Sequence, residues 1–191
     1  MARAVVEAGW CVVEVPLSAP AALASIARLT EALPADILVG AGTVRTVAEV
    51  EKVAEAGGRL IMMPHADPRL IAHADRLGLV VLPGVFTATE AFVALEAGAD
   101  ALSLFPAETG GPAHLAALRA VLPPALPILP VGGIVAGSIS PWQSAGASGF
   151  AVGRALYRPR DDAEVVRRRA EEFRALAALP VGGARSSATA G

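Results

Sequence analysis

The sequence predicts an α/β fold built on a parallel sheet, either a (β/α) barrel or an open sheet. Three observations carry that prediction. Short apolar runs alternate with longer helical patterns along the chain. Each run is four to seven residues long, rich in Val, Ile and Leu, and stopped by Pro or Gly, the pattern of strands covered on both faces. The strand-helix unit recurs about every twenty residues, as repeated β-α units do.

The elements follow in order. "ARAVVEAG" reads as the end of a helix that feeds the first strand, "CVVEVPL" (11–17). Helical "APAALASIARLTEAL" leads to "ILVGAG" (37–42), and "TVAEVEKVAEAG" leads to "RLIMMP" (59–64). "VVLPG" (80–84) precedes helical "TATEAFVALEAG", which leads to "ALSLFP" (101–106). "PILPVGG" (127–133) and "GFAVG" (149–153) complete seven strand candidates. Thr46, Asp67 and Thr87 are the expected N-caps, the last with Glu90 completing a capping box. Gly57, Gly78 and Gly98 are the expected helix stops. "EVVRRRAEEFRALAAL" (164–179) is a final amphipathic helix, so the domain is read as residues 1–179. Residues 180–191 are small and polar, and read as a disordered tail. With seven strands counted, an eight-stranded barrel would lack its first strand and the start of its first helix.

At 191 residues the chain suits one domain with a substantial core. A net charge of −2 argues against a nucleic-acid or anionic-membrane partner. Cys11 is the only cysteine, which excludes an internal disulfide, a zinc cluster of cysteines and a CxxC motif. It reads as a small apolar residue of a buried strand, and a reducing cytoplasm fits. "MARAVVEAGW" carries Glu7 and lacks the apolar core of a signal peptide. No charge occurs from Ala120 to Gly153. Five prolines break that stretch, however, and it reads as buried soluble protein, not as a membrane span.

In either architecture ligands bind at the carboxyl ends of the strands. Glu14 lies among valines in "CVVEVPL". Burial there should raise its pKa, which suits a general acid/base; a carboxylate satisfied by an Arg or by backbone amides is the other reading. "VGAGT" (39–43) ends a strand with two glycines and Thr43, able to donate to a carboxylate or phosphate, or simply turning the chain. "PVGGI" (130–134) and "AVGRAL" (151–156) carry Gly132, Gly133 and Gly153. Glycine turns in those places expose backbone N–H groups that can cradle phosphate. Arg154 either adds charge to that cradle or points outward. His65 and Asp67 read as loop polarity and helix capping, and His73 and His114 as helix residues at or near the surface. The Arg167–Arg169 run reads as a solvated, salt-bridged face.

The ordered series "EVPLSAP", "LVGAGTV", "MPHADP", "LPGVFTATEAFVALEAGADAL", "LFPAETGGP", "LRAVLP", "PVGGI" and "VGRALYR" resembles the 2-keto-3-deoxy-6-phosphogluconate and 6-phosphogalactonate aldolases. The galactonate branch is the nearer, and the likeness runs from about residue 4 to 158. The resemblance implies a (β/α)8 TIM-type barrel, here N-terminally truncated, a homotrimer, and a cytoplasmic class I aldolase that needs no metal or other cofactor. It implies a lysine that forms a Schiff base with the C2 ketone of a 2-keto-3-deoxy-6-phospho sugar acid. Cleavage then yields pyruvate and glyceraldehyde 3-phosphate. Glu14 matches the family's acid/base glutamate. Thr43 matches the threonine near the substrate carboxylate, Pro64 a proline lining the site, and Phe105 the Phe of the Lys-x-Phe-Pro motif. Gly132, Gly133 and Gly153 match the phosphate loops, and Arg154 stands where a serine is usual.

Ser103 stands at the lysine position, in Ser103-Leu104-Phe105-Pro106. A primary amine condenses with a ketone to a protonated imine, which accepts the electrons released on cleavage. A hydroxyl adds to give a neutral hemiketal with no such sink. Lys52 is the only lysine, six residues into an outer helix and therefore about 9 Å below the strand ends. The opening strand that carries a substrate-side arginine in the family has no counterpart among the seven. The sequence therefore predicts an aldolase-like chain with class I activity lost or severely impaired. The alternatives are a non-catalytic sugar-phosphate-binding or regulatory subunit, and a metal-assisted aldolase or decarboxylase using Glu14 and Glu108.

Overall fold

The computed structural model describes residues 1–178, so the tail expected at 180–191 lies outside the described residues. Strands β1 (Val12–Pro16), β2 (Leu38–Gly42), β3 (Leu60–Met62) and β4 (Val80–Leu82) form one parallel sheet in that order. Strands β5 (Gly84–Val85), β6 (Leu102–Leu104) and β7 (Ile128–Pro130) form a second parallel sheet. The break between β4 and β5 is Pro83, which has no N–H to give to a ladder. Its carbonyl still accepts from the Ser103 amide at 2.9 Å, so one strand path hands over from the first sheet to the second.

Among the described residues seven strands are present, as expected, but not quite the seven runs of the sequence. The 80–84 run supplies both β4 and β5. The 149–153 run is reduced to a single parallel bridge, Val131 to Ala151. Gly149 and Gly153 flank it, and glycine weakens a strand interior. Among the described residues the sheet does not close: β1 has β2 on one side and no strand on the other.

Helix α1 (Ala2–Glu7) precedes β1, and α2 (Ala22–Ala32), α3 (Val47–Glu55), α4 (Pro68–Arg76), α5 (Ala88–Glu96), α6 (Ala107–Arg119), α7 (Ile139–Ser144) and α8 (Ala163–Ala178) lie between and after the strands. The expected caps form. Thr87 accepts from the Glu90 amide while the Glu90 carboxylate accepts from the Thr87 amide, and Thr46 makes the same box with Glu49. Asp67 caps α4 through the Arg69 amide. Its pairing with the Arg69 side chain holds its carboxyl at about 2, below the ordinary value of 3.8. Gly57, Gly78 and Gly98 have φ of +80°, +70° and +103°, the left-handed turn that ends a helix and that a side chain resists. Gly111, at φ +69°, kinks α6 just before Pro112. Arg167 pairs with Glu164 and Glu171 on the solvent side of α8.

The strands' alternation builds two apolar layers. Val39, Ala41, Ile61, Val81, Leu102, Leu104 and Ile128 face the helices in the main core. Leu38, Leu60, Met62, Val80, Leu82, Ala101 and Leu129 fill the space on the opposite face, the lumen. The uncharged 120–153 stretch is mixed: Ile128, Ile134, Ile139 and Trp142 are buried, while Val121 and Val135 are exposed. No described helix is long and apolar enough to cross a membrane. Cys11 departs from expectation. It is exposed, because it precedes β1 on the side of the sheet that no other strand covers.

Thr87→Ala removes one half of a capping box. It should cost about 1 kcal/mol and lower the melting temperature by roughly 2–4 °C; an unchanged melting curve would show the box to be ornamental.

Candidate functional site

The candidate residues gather where the strands end. On β6, Leu102 and Leu104 belong to the helix-facing core, so Ser103 between them points the other way, into the lumen. Its cross-strand partners are Gly84 and Leu129. Ser103 is 2% exposed, the one buried polar or charged residue among those described. Its hydroxyl has no hydrogen-bond partner. A buried polar group left unmade costs about 1–3 kcal/mol, so nothing in the packing explains this serine.

Glu14 is reached by the same reasoning on β1. Val13 and Val15 pack on the helix-facing core, which turns Glu14 toward the lumen opposite Gly40. A methyl group on Gly42 would run into Glu14 Oε2, so the glycine makes room for the carboxylate and gives it a backbone hydrogen bond. Burial of the head group pushes the Glu14 pKa above its ordinary 4.5, and the Gly42 hydrogen bond pulls partly against it. The residue as a whole is exposed, since β1 has a bare edge.

Thr43 follows Gly42, exposed, with φ +59°. A β-branched residue in that region is strained, and such strain gathers at functional positions. Pro64 is half-buried after β3. Gly84 lies over it so closely that an added Cβ would sit 2.7 Å from the Pro64 carbonyl carbon and 2.9 Å from the Met63 oxygen. The sequence reading passed over Gly84; its one signal was a glycine between Pro83 and Val85.

Phe105 is 38% exposed just beyond β6. Gly132, at φ +101°, packs beside it, its Cβ position 3.9 Å from the Phe105 ring and 3.6 Å from the Ala107 amide nitrogen. Gly133, at φ +68°, leaves no space for a side chain because Glu108 crowds it. Phe105, Glu108, Gly132 and Gly133 therefore form one surface. Gly153 has open space around it, and Arg154 is exposed; no contact ties either to that surface.

The remaining candidates fall away from the lumen. Lys52 is exposed on α3. His65 is exposed, and Asp67 serves α4 as its cap. His73 contacts Glu51 at 3.4 Å. His114 meets the Phe86 carbonyl through Nε2 at 2.6 Å and stacks on the Phe86 ring. No group of three or more His, Cys, Asp or Glu side chains suited to a metal occurs among the described residues.

Chemically, the lumen offers a carboxyl group with a raised pKa, one orphan hydroxyl and several glycine surfaces, with no amine in the wall. A model of the KDPG and KHG aldolase family matches residues 1–168. A probable 2-dehydro-3-deoxy-6-phosphogalactonate aldolase of Rhizobium meliloti (strain 1021) is 43% identical over 167 residues, 87% of this chain and 79% of that protein. The 2-dehydro-3-deoxy-6-phosphogalactonate aldolase of Escherichia coli (strain K12) is 40% identical over 170 residues, 89% of this chain and 83% of that one. Among solved structures, a native KDPGal structure superposes with a TM-score of 0.89 at 39% identity, covering 92% of this chain and 85% of the other. A cube-shaped cage designed by fusing symmetric oligomeric domains gives the same TM-score and identity, over 92% of this chain and 65% of that one.

Two measurements check this geometry. Ser103→Ala should raise stability by about 1 kcal/mol, or roughly 2–4 °C in melting temperature; a fall would mean that the hydroxyl has a partner. The Glu14 charge is disfavoured in the fold, so its penalty is present above the ordinary carboxylate range and relieved as pH falls through the raised pKa. Glu14→Gln should therefore gain stability over the parent at pH 7 and lose that gain by pH 4. A difference that does not change with pH would count against a desolvated carboxyl.

Proposed function

The chain belongs to the KDPG and KHG aldolase family, and on that premise we propose that it keeps the family's ligand lumen but has lost Schiff-base turnover. The observation that carries this reading is the buried Ser103 hydroxyl, with the one lysine of the chain on an outer helix. The ligand class is a 2-keto-3-deoxy-6-phospho sugar acid or its product pyruvate.

In class I cleavage an amine adds to the C2 ketone, water leaves, and the resulting iminium accepts the electron pair of the breaking carbon-carbon bond. Ser103 Oγ has one proton to lose and forms one new bond to C2. The product is a hemiketal with four single bonds at that carbon. The electron pair then has nowhere to go. Glu14, whose carboxyl holds its proton to a higher pH than an ordinary carboxylate does, still supplies acid/base chemistry. Proton transfer alone leaves the missing sink unreplaced. Loss of one member of such a catalytic unit can cost about 10⁶ in rate.

What remains is recognition. Thr43, Pro64 and Phe105 would contact the keto acid, and the Gly132–Gly133 turn with Gly153 and Arg154 would hold the phosphate. Backbone amides at glycine turns suit that anion. A non-catalytic binding or regulatory subunit, cytoplasmic and assembled as a homotrimer, is the form this proposal takes. The cage of fused symmetric oligomeric domains that resembles the chain supports self-assembly.

The test is borohydride reduction in the presence of pyruvate, followed by the intact mass. The parent protein should gain no adduct, and Ser103→Lys should gain one reduced pyruvate. An adduct on the parent would overturn the proposal, and mapping it to Lys52 or the amino terminus would identify the substitute. If Ser103→Lys is folded yet unreactive, the lumen itself is not a keto-acid site.

A further inference from the structure

The turn after β7 has hydrogen-bond donors that the protein leaves unused. The Val131 amide donates to the Leu104 carbonyl at 3.0 Å, and the Val131 carbonyl accepts from the Ala107 amide at 2.9 Å. The next amide with a protein partner is that of Val135, which donates to Ser138 Oγ at 3.2 Å. Between them, the amides of Gly132, Gly133 and Ile134 donate to no described residue. Gly132 and Gly133 have φ of +101° and +68°. Successive free N–H groups at a turn make a concavity of partial positive charge.

One anionic side chain of the protein already lies against this turn. Glu108 stands in the first turn of α6. Its Cβ lies 2.6 Å and its carboxyl carbon 3.2 Å from the place a Cβ would take on Gly133, and Oε2 touches the same place. The carboxylate is therefore folded over the turn, although Glu108 is an exposed residue with water open to it. No hydrogen bond or ion pair to a described residue holds it there. The unused donors of the turn account for its position, and with no paired cation its full charge meets any anion that arrives.

On the premise that Gly132 and Gly133 hold the ligand's phosphate, we propose that Glu108 is a built-in competitor for that place. The phosphate and the carboxylate seek the same donors and repel each other at close range. The phosphate enters as Glu108 swings into solvent, and no bond of the carboxylate to the protein has to break for it to do so. The turn is thereby made weak for free inorganic phosphate. A ligand held at its other end in the lumen brings its phosphate at a high effective concentration, which offsets the repulsion. Glu108 thus keeps the turn clear of the free anion while a phosphorylated keto acid still binds.

Inorganic phosphate is the probe, and the amide NMR signals of Gly132, Gly133 and Ile134 report its binding. Glu108→Gln keeps the length of the side chain and removes its charge. It should bind phosphate about fivefold or more tightly than the parent, the effect of one unit charge at about 4 Å in water, and the gain should shrink as salt rises. Glu55→Gln, which removes the same charge from exposed α3, should bind as the parent does. Equal phosphate affinity in the parent and Glu108→Gln would overturn the competition and leave the phosphate assignment standing. An equal gain in Glu55→Gln would also overturn it, since net charge and not position would then set the affinity. If phosphate shifts none of these amides in either the parent or Glu108→Gln, the phosphate assignment itself fails, and the competition with it.

Discussion

A parallel strand presents successive side chains to two different environments, and this alternation sets which way Ser103 and Glu14 face. On β6 it commits Leu102 and Leu104 to the helix layer and leaves position 103 no direction but the lumen. On β1 it commits Val13 and Val15 to the core and sends Glu14 inward. The lumen is narrow, so glycines at 40, 42 and 84 stand where larger residues would meet a backbone or a carboxylate. A side chain that enters this space has few neighbours able to satisfy it. For Glu14 the answer is the Gly42 amide and a raised pKa. For Ser103 there is none in the fold.

The orphan hydroxyl is therefore more informative than an ordinary substitution. A position selected for packing alone would carry alanine, at no loss of volume fit and with a gain from removing an unpaired polar atom. A position selected for imine chemistry would carry lysine. Serine serves neither purpose, yet it can donate one hydrogen bond to a bound carbonyl or carboxylate. Recognition without an electron sink is the function that a hydroxyl at this point of the lumen can still perform.

Much of this was legible in the sequence because the forces concerned are local. Val-, Ile- and Leu-rich runs stopped by Pro or Gly gave the strands, and Thr87 with Glu90 gave a cap whose two hydrogen bonds lie within one turn. Family motifs located Glu14 within β1 and Thr43, Gly132 and Gly133 just beyond strand ends. Features that depend on what lies across space were not legible. Cys11 is exposed because no strand among the described residues covers that edge of β1, and Ala151 keeps a single bridge because its flanking glycines weaken the run. The left-handed φ of Thr43 and the close approach of Gly84 to Pro64 are properties of the assembled backbone, with no one-letter signature.

The central claim is that the lumen has lost its nucleophile and kept its shape. Exchange of the methyl protons of pyruvate with D2O, followed by proton NMR, tests it most directly, because an imine-forming amine speeds that exchange above the buffer rate by way of the enamine. Ser103→Lys should exchange the methyl protons, and the parent should not exceed the rate in buffer. A parent that exchanges as fast as Ser103→Lys would contradict the account, since the electron sink would then come from a group other than residue 103.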